Sequence, residues 1–176
     1  SDGLTLYWSS KKGKDFWVWS ATRKDSSSPF ENIRKLIPGY DPTVTDDELE
    51  MVFMSNGPGL FVSTRATKAD NWSVARRLRA FEGQGFVASP CLAGDGLSLD
   101  VEIIQGKSAR NVRFQRSTRT SEWGTPKDRI LLGLNGNHLR FPFVSQGGAW
   151  LFGCRPEDSK QMLVLSSTDN GNSFSS

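Results

Sequence analysis

Short apolar runs recur along the chain, and each is closed by a cluster of turn-forming residues. Phe16-Trp17-Val18-Trp19-Ser20-Ala21, Leu60-Phe61-Val62-Ser63, Val112-Arg113-Phe114-Gln115 and Met162-Leu163-Val164-Leu165 are each the length of one strand. Helical spacing is scarce. The best candidate, residues 71–81, has an apolar spacing that fits a helix no better than a strand. The pattern predicts an all-β chain of many short strands joined by tight turns.

The runs belong to a repeat. Asp41-Pro42-Thr43-Val44-Thr45-Asp46-Asp47-Glu48-Leu49, Ser89-Pro90-Cys91-Leu92-Ala93-Gly94-Asp95-Gly96-Leu97 and Phe141-Pro142-Phe143-Val144-Ser145-Gln146-Gly147-Gly148-Ala149 share one order: Pro, an aliphatic residue, a turn rich in Asp and Gly, then an apolar alternation. Asp-Gly and Gly-Gly pairs supply the positive φ that a tight hairpin needs. Pro is tolerated where a strand begins, because its missing N–H is not needed there. A further copy, Ser1-Asp2-Gly3-Leu4-Thr5-Leu6-Tyr7-Trp8, has the turn and the following strand but no Pro-bearing strand before them. The copies return about every 45 to 52 residues, a period that suits a blade of four short strands.

Each copy then carries an apolar strand, a Ser/Thr-rich turn with Arg, and a closing aromatic. Arg23 leads to Phe30, Arg65 to Trp72, Arg119 to Trp123, and Thr168-Asp169-Asn170-Gly171 to Phe174. The aromatics are expected to pack between neighbouring blades as core. Asp2, Arg23, Arg65, Asp95, Arg119, Asp169 and Gly171 are assigned to the structural repeat, with the arginines bracing the turn through backbone carbonyls. The expected fold is therefore an all-β β-propeller of about four blades, or a fragment of a larger propeller, with four-stranded antiparallel blades. The chain, 1–176, reads as one repeat domain with repeats near 1–40, 41–88, 89–140 and 141–176.

Composition narrows the function. The net charge is +3, and the basic residues are scattered instead of forming a stripe with interleaved aromatics, so no nucleic acid is expected as partner. Cys91 and Cys154 are too few for a disulfide scaffold and read as small core residues, with a single bridge left open. No spacing resembles a zinc site, and there is one histidine, His138. No cofactor motif is present, and no apolar run is long enough to span a bilayer.

The residues carry a resemblance. The Pro-x-aliphatic strand, the Asp-Gly-Leu turn and the strand ending in Ala21-Thr22-Arg23 resemble WD40-like bacterial propeller repeats of the Tol-system type. Residues 167–174, Ser-Thr-Asp-Asn-Gly-Asn-Ser-Phe, are similar to the Asp-box of sialidase-type propellers, a turn-stabilising element that implies no sialidase activity. The resemblance implies a periplasmic, secreted or multidomain cytoplasmic setting. The ragged ends are consistent with a portion of a longer protein or with a small closed ring. Open strand edges would favour self-association.

For function, the sequence points to a non-enzymatic binding module or scaffold that presents loops to a protein partner. Loops at 9–15, 55–59, 105–110 and 155–160 share one place in the repeat and are expected to cluster on one face. Lys11, Lys12, Lys14, Lys107 and Lys160 would make that face basic and suit an acidic partner, with Asn56, Arg110 and Arg155 as further candidate binding residues. The alternative is a glycan-binding or glycoside hydrolase-like (sialidase-type) propeller, which would need exposed rings at Trp8, Trp17, Trp19 or Trp150. Sialidase-type chemistry implies a tyrosine nucleophile. Tyr7, however, sits in a strand position that other copies fill with Val52, Asp100 and Phe152, and Tyr40 sits in a Pro-Gly turn. Asp100 and Glu102 share one strand face. They are expected on a solvent-facing or edge strand, or alternatively along a polar channel. No nucleophile elbow accompanies His138, and no residue is assigned as catalytic.

Overall fold

The structure, a computed structural model, describes residues 2–132, 139–144, 150–155, 158–167 and 173–175. The contacts divide the chain into two compact units, Ser1–Leu78 and Arg79–Ser176. Among the described residues the regular elements are strands and one 3-10 turn, Arg79–Phe81. The 71–81 stretch thus resolves into a two-residue strand, Arg76–Arg77, and that turn. No helix among the described residues is long and apolar enough to cross a membrane.

The first unit holds two sheets. One contains β1 (Thr5–Lys12), β2 (Asp15–Thr22) and β3 (Glu31–Pro38) in the order β1-β2-β3. The other contains β4 (Tyr40–Val44), β5 (Glu50–Met54), β6 (Leu60–Thr64) and β7 (Arg76–Arg77), again in sequence order. Every pairing in the unit is antiparallel. The missing Pro-bearing strand of the opening copy is why the first sheet has three strands. β5 lies inside its sheet and is buried along its length, so its Met51-Val52-Phe53-Met54 run shows no alternation. Val18 packs on Met51 and Phe53, with Tyr7, Val44, Phe61 and Trp72 around them. Each such side chain contributes about 1.5–3 kcal/mol on burial.

The second unit also holds two sheets. β8 (Phe86–Leu92), β9 (Ser98–Gln105), β10 (Ser108–Gln115) and β11 (Lys127–Asp128) lie in the order β11-β10-β9-β8. β12 (Ile130–Leu132), β13 (Arg140–Val144), β14 (Trp150–Arg155), β15 (Asp158–Ser166) and β16 (Ser173–Ser175) lie in the order β12-β16-β15-β14-β13. Here β12 runs parallel to β16, and the other pairings are antiparallel. Leu139, Leu151, Leu165 and Phe174 form a core cluster of this unit. Cys91 is buried, Cys154 is half-buried, and the two are not bonded.

The Pro residues of the repeat, Pro42, Pro90 and Pro142, sit inside strands, at bulges. Register shifts fall between Tyr40 and Thr43, between Ala88 and Cys91, and between Arg140 and Phe143. The residue before Pro takes positive φ in two of these bulges, 49° at Asp41 and 51° at Ser89. A bulge leaves one residue outside the ladder, which is where a residue without an N–H fits.

Candidate functional site

Two of the predicted basic loops, 9–15 and 105–110, contain tight hairpin turns, and 55–59 is a five-residue loop between β5 and β6. Lys12 pairs with Asp15, leaving Gly13-Lys14 as a two-residue turn, and Gln105 pairs with Ser108 around Gly106-Lys107. Glycine stands first in each turn, with φ of 71° and 61°, as two-residue hairpins require. Lys11 and Lys12 are therefore strand residues, exposed like Lys14. Lys12 reaches over the Trp19 ring at 6.0 Å. Lys107 is exposed at its turn. Arg110 lies within β10 and is ion-paired with Asp128. Asn56 is a clamp: its side chain accepts from the Phe16 N–H at 2.9 Å and donates to the Phe16 carbonyl at 3.1 Å. Arg155 ends β14, and Lys160 lies near the start of β15. Asp169 and Gly171 lie outside the described residues, as does most of the Asp-box-like stretch.

The turn-bracing module recurs with one geometry. The Leu4, Leu49 and Leu97 N–H groups donate to the carboxylates of Asp2, Asp47 and Asp95 at 2.9, 3.0 and 2.8 Å. Arg23 donates to the carbonyls of Gly3 and Ser26, and Arg65 to those of Glu48 and Lys68. In the third copy the equivalent residue is Arg116, which donates to Gly96 and Arg119 at 2.7 Å each. The structure thus puts Arg116 at the position the sequence reading gave to Arg119, three residues on. Arg119 itself donates to the Asp95 carbonyl. Each module arginine stacks on the aromatic seven residues later: Arg23 on Phe30, Arg65 on Trp72 and Arg116 on Trp123, at 4.6, 4.4 and 4.3 Å. Ser167 holds that position in the fourth copy, and Arg129 lies 5.3 Å from the Phe174 ring instead.

The second module departs from the others at one residue. Gly3 and Gly96 take φ of 71° and 77° in their turns, whereas the second copy places Glu48 there at φ 57°. Positive φ costs a residue with a Cβ of order 1 kcal/mol, so the side chain is held by something specific. Glu48 is buried. Its carboxylate accepts from the Tyr7 hydroxyl at 2.8 Å and from Lys68 at 2.9 Å, with Arg65 at 3.3 Å. Burial pushes this carboxyl up. The Lys68, Tyr7 and Thr5 hydrogen bonds and the Lys68 charge outweigh that and leave it below the usual carboxylate range. Burial, then the bond to Glu48, pushes the Tyr7 phenol up. Tyr7 therefore stays protonated at neutral pH and acts as a donor. This cluster lines a cleft of ≈ 430 Å³ in the first unit, together with residues of β1, β2, β3 and the 65–72 turn.

A second buried charge cluster lies on β9. Asp100 is buried and meets two arginines. Arg129 approaches at 2.7 and 3.2 Å, and Arg113 at 2.7 to 3.2 Å. Burial holds Arg129 below the usual arginine range, against the pull of Asp100. β9 is an inner strand of its sheet and Glu102 is also buried, so the expectation of a solvent-facing or edge strand is corrected. The sequence singled out Asp100 but not its partners, which come from the next strand and from 29 residues on. Among the described residues no group of three or more His, Cys, Asp or Glu is arranged to hold a metal ion.

Four sheets of consecutive antiparallel strands, the last with β12 added in parallel beside β16, define the class: the chain has a propeller-type fold. Solved structures bear this out at low identity. The crystal structure of TolB from Acinetobacter baumannii is similar over 98% of this chain and 40% of its own, with TM-score 0.57 and 17% identity. A putative 6-phosphogluconolactonase from Bacteroides uniformis is similar over 98% of this chain and 50% of its own, with TM-score 0.53 and 13% identity. The chain thus spans half or less of the length of these two proteins. No family model matches it, and no curated protein does.

Proposed function

We propose that the chain is a non-enzymatic binding module whose WD40-like repeats, forming one repeat domain over 1–176, present the β1–β2 hairpin to an acidic segment of a protein partner. One observation carries this reading: Lys11, Lys12 and Lys14 stand exposed together at the end of a fully paired hairpin with a two-residue turn. Such a cluster steers and holds acidic chains, and its contribution falls with salt. The test is titration with an Asp/Glu-rich peptide at low and high salt. The parent chain should bind and weaken as salt rises, and the triple Lys→Glu variant should lose binding. Unchanged affinity in that variant removes the reading.

Glycan binding is the second reading. It is favoured by Trp150, which is 49% exposed, and by the half-buried rings of Trp8, Trp17 and Trp19. A glycan array without hits at high protein concentration would discard it. The open edges of the three-stranded sheet also suit pairing with a second copy. Sedimentation that shows only monomer across a concentration series would count against that.

A further inference from the structure

We propose that the cleft above Glu48 is a binding site for an acidic sugar, a small polyhydroxylated ligand bearing a carboxylate or a phosphate. The inference starts from the charges that line the cleft. Four are cationic, at Arg34, Lys35, Arg65 and Lys68, and two are anionic, at Glu48 and Asp70. Both carboxylates are already engaged. Glu48 takes Tyr7, Lys68 and Arg65, and Asp70 accepts from the Thr67 N–H and hydroxyl at 2.8 and 2.9 Å. Arg65 spends its donors on two backbone carbonyls, Tyr7 and Glu48.

Lys35 is engaged elsewhere, its Nζ 3.8 Å from the centroid of the Trp17 ring, which does not line the cleft, whereas Lys68 and Arg34 have capacity to spare. Lys68 is 52% exposed and carries three donors, of which Glu48 takes one at short range, with Asp2 4.0 Å away. Arg34 and Lys35 are exposed on β3, and Arg34 makes no ion pair among the described residues. The cleft therefore offers the Arg34 guanidinium and part of the Lys68 ammonium as positive donors, beside Glu48, whose charge Lys68 and Arg65 offset. A concave wall concentrates that potential on a small anion. The remaining lining is rich in hydroxyl and amide groups, Thr5, Ser20, Thr22 and Asn71 among them, which suits hydroxyls on the ligand more than a methylene-rich body. A volume of ≈ 430 Å³ falls within the range of small-molecule pockets, roughly 300–1,000 Å³. Glu48 gives the site its shape. With glycine at that turn, as in the other copies, Lys68 would lack the anion that fixes it beside the opening.

The test is calorimetric titration of the full chain with glucuronate and with glucose 6-phosphate, against neutral glucose and inorganic phosphate. At least one acidic sugar is expected to bind tenfold or more tightly than either control; which one binds separates a carboxylate from a phosphate ligand. Arg34→Gln, an exposed change with the near-ultraviolet circular dichroism as a check of fold, should weaken it about two- to fivefold, the scale of an exposed ion pair. Failure of both sugars to bind, affinity equal to that of glucose or phosphate, or binding untouched by Arg34→Gln overturns the proposal. So does an Asp/Glu-rich peptide that displaces the sugar at lower concentration. The hairpin variant with three Lys→Glu changes retains sugar binding, so this proposal and the hairpin reading fail separately.

Discussion

Glu48 joins backbone strain to a buried charge. Its φ of 57° is a glycine conformation, and its carboxylate is the anion on which Tyr7, Arg65 and Lys68 converge. A strained residue kept this way points towards function more often than towards stability. Its folded-state pKa is lowered, so its contribution to stability is present above the unfolded value, about 4.3, and is lost as pH falls through the lower folded value. Glu48→Gln should therefore cost about 1–3 kcal/mol near pH 7, and the gap to the parent chain should be smaller at acid pH, below the usual carboxylate range. Urea denaturation at the two pH values checks this; a gap that persists in acid would show that the charge is not what holds the cluster. The module arginines give a sharper comparison. Arg116 both bonds two carbonyls and stacks on Trp123, whereas Arg119 donates to the Asp95 carbonyl from a less enclosed turn. Arg116→Ala should cost about 2–3 kcal/mol and Arg119→Ala less than about 1 kcal/mol, read from denaturation midpoints. The reverse order would restore the register that the sequence suggests. That register was hard to read because Arg119 follows Ser117-Thr118, as Arg65 follows Ser63-Thr64, whereas Arg116 follows Phe114-Gln115, and both arginines reach carbonyls of the same Asp-Gly turn.

At the scale of the element, local chemistry was legible and pairing across elements was not. The Asp-Gly turns, the Pro-bearing strands and the closing aromatics are short-range signals, and the hairpins formed where they stand. The polarity of β9 was visible, but its burial was not, because Arg113 and Arg129 reach Asp100 through β10 and through a segment 29 residues away. Both charge clusters grow from one position of the repeat. Tyr7, Val52, Asp100 and Phe152 are equivalents, and the two polar members are the ones that gather arginines. Replacing Asp100 by Asn leaves two guanidinium groups beside a neutral amide, and breaking a buried pair this way costs about 3–5 kcal/mol. A loss below about 1 kcal/mol by thermal denaturation would mean that water already solvates the site. Asn56 had the composition of a binding loop but serves as a tie between β2 and the β5–β6 turn. Asn56→Ala should lower stability by about 1–2 kcal/mol and speed exchange of the Phe16 amide while leaving peptide binding intact.

At the scale of the molecule, repetition explains why the fold was readable while the function was not. A blade is specified by turns and an apolar alternation that recur in every copy. A site is specified by the places where copies differ, and a difference acquires meaning only beside its spatial neighbours. The two charge clusters fall in different units, Ser1–Leu78 and Arg79–Ser176, and each unit has its own apolar cluster, around Val18, Met51 and Phe53 in the first and around Leu139, Leu151, Leu165 and Phe174 in the second. Stability in such a chain is carried by cooperative blocks that open at different free energies. Glu48→Gln should therefore reduce amide protection in β1, β5 and β6, and Asp100→Asn in β8, β9 and β10, each leaving the other unit near its parent value. Hydrogen exchange read by peptide mass resolves this directly. If either substitution lowers protection uniformly from β1 to β16, the chain unfolds as one block, and the acidic-sugar cleft then draws its rigidity from the whole chain instead of from the first unit.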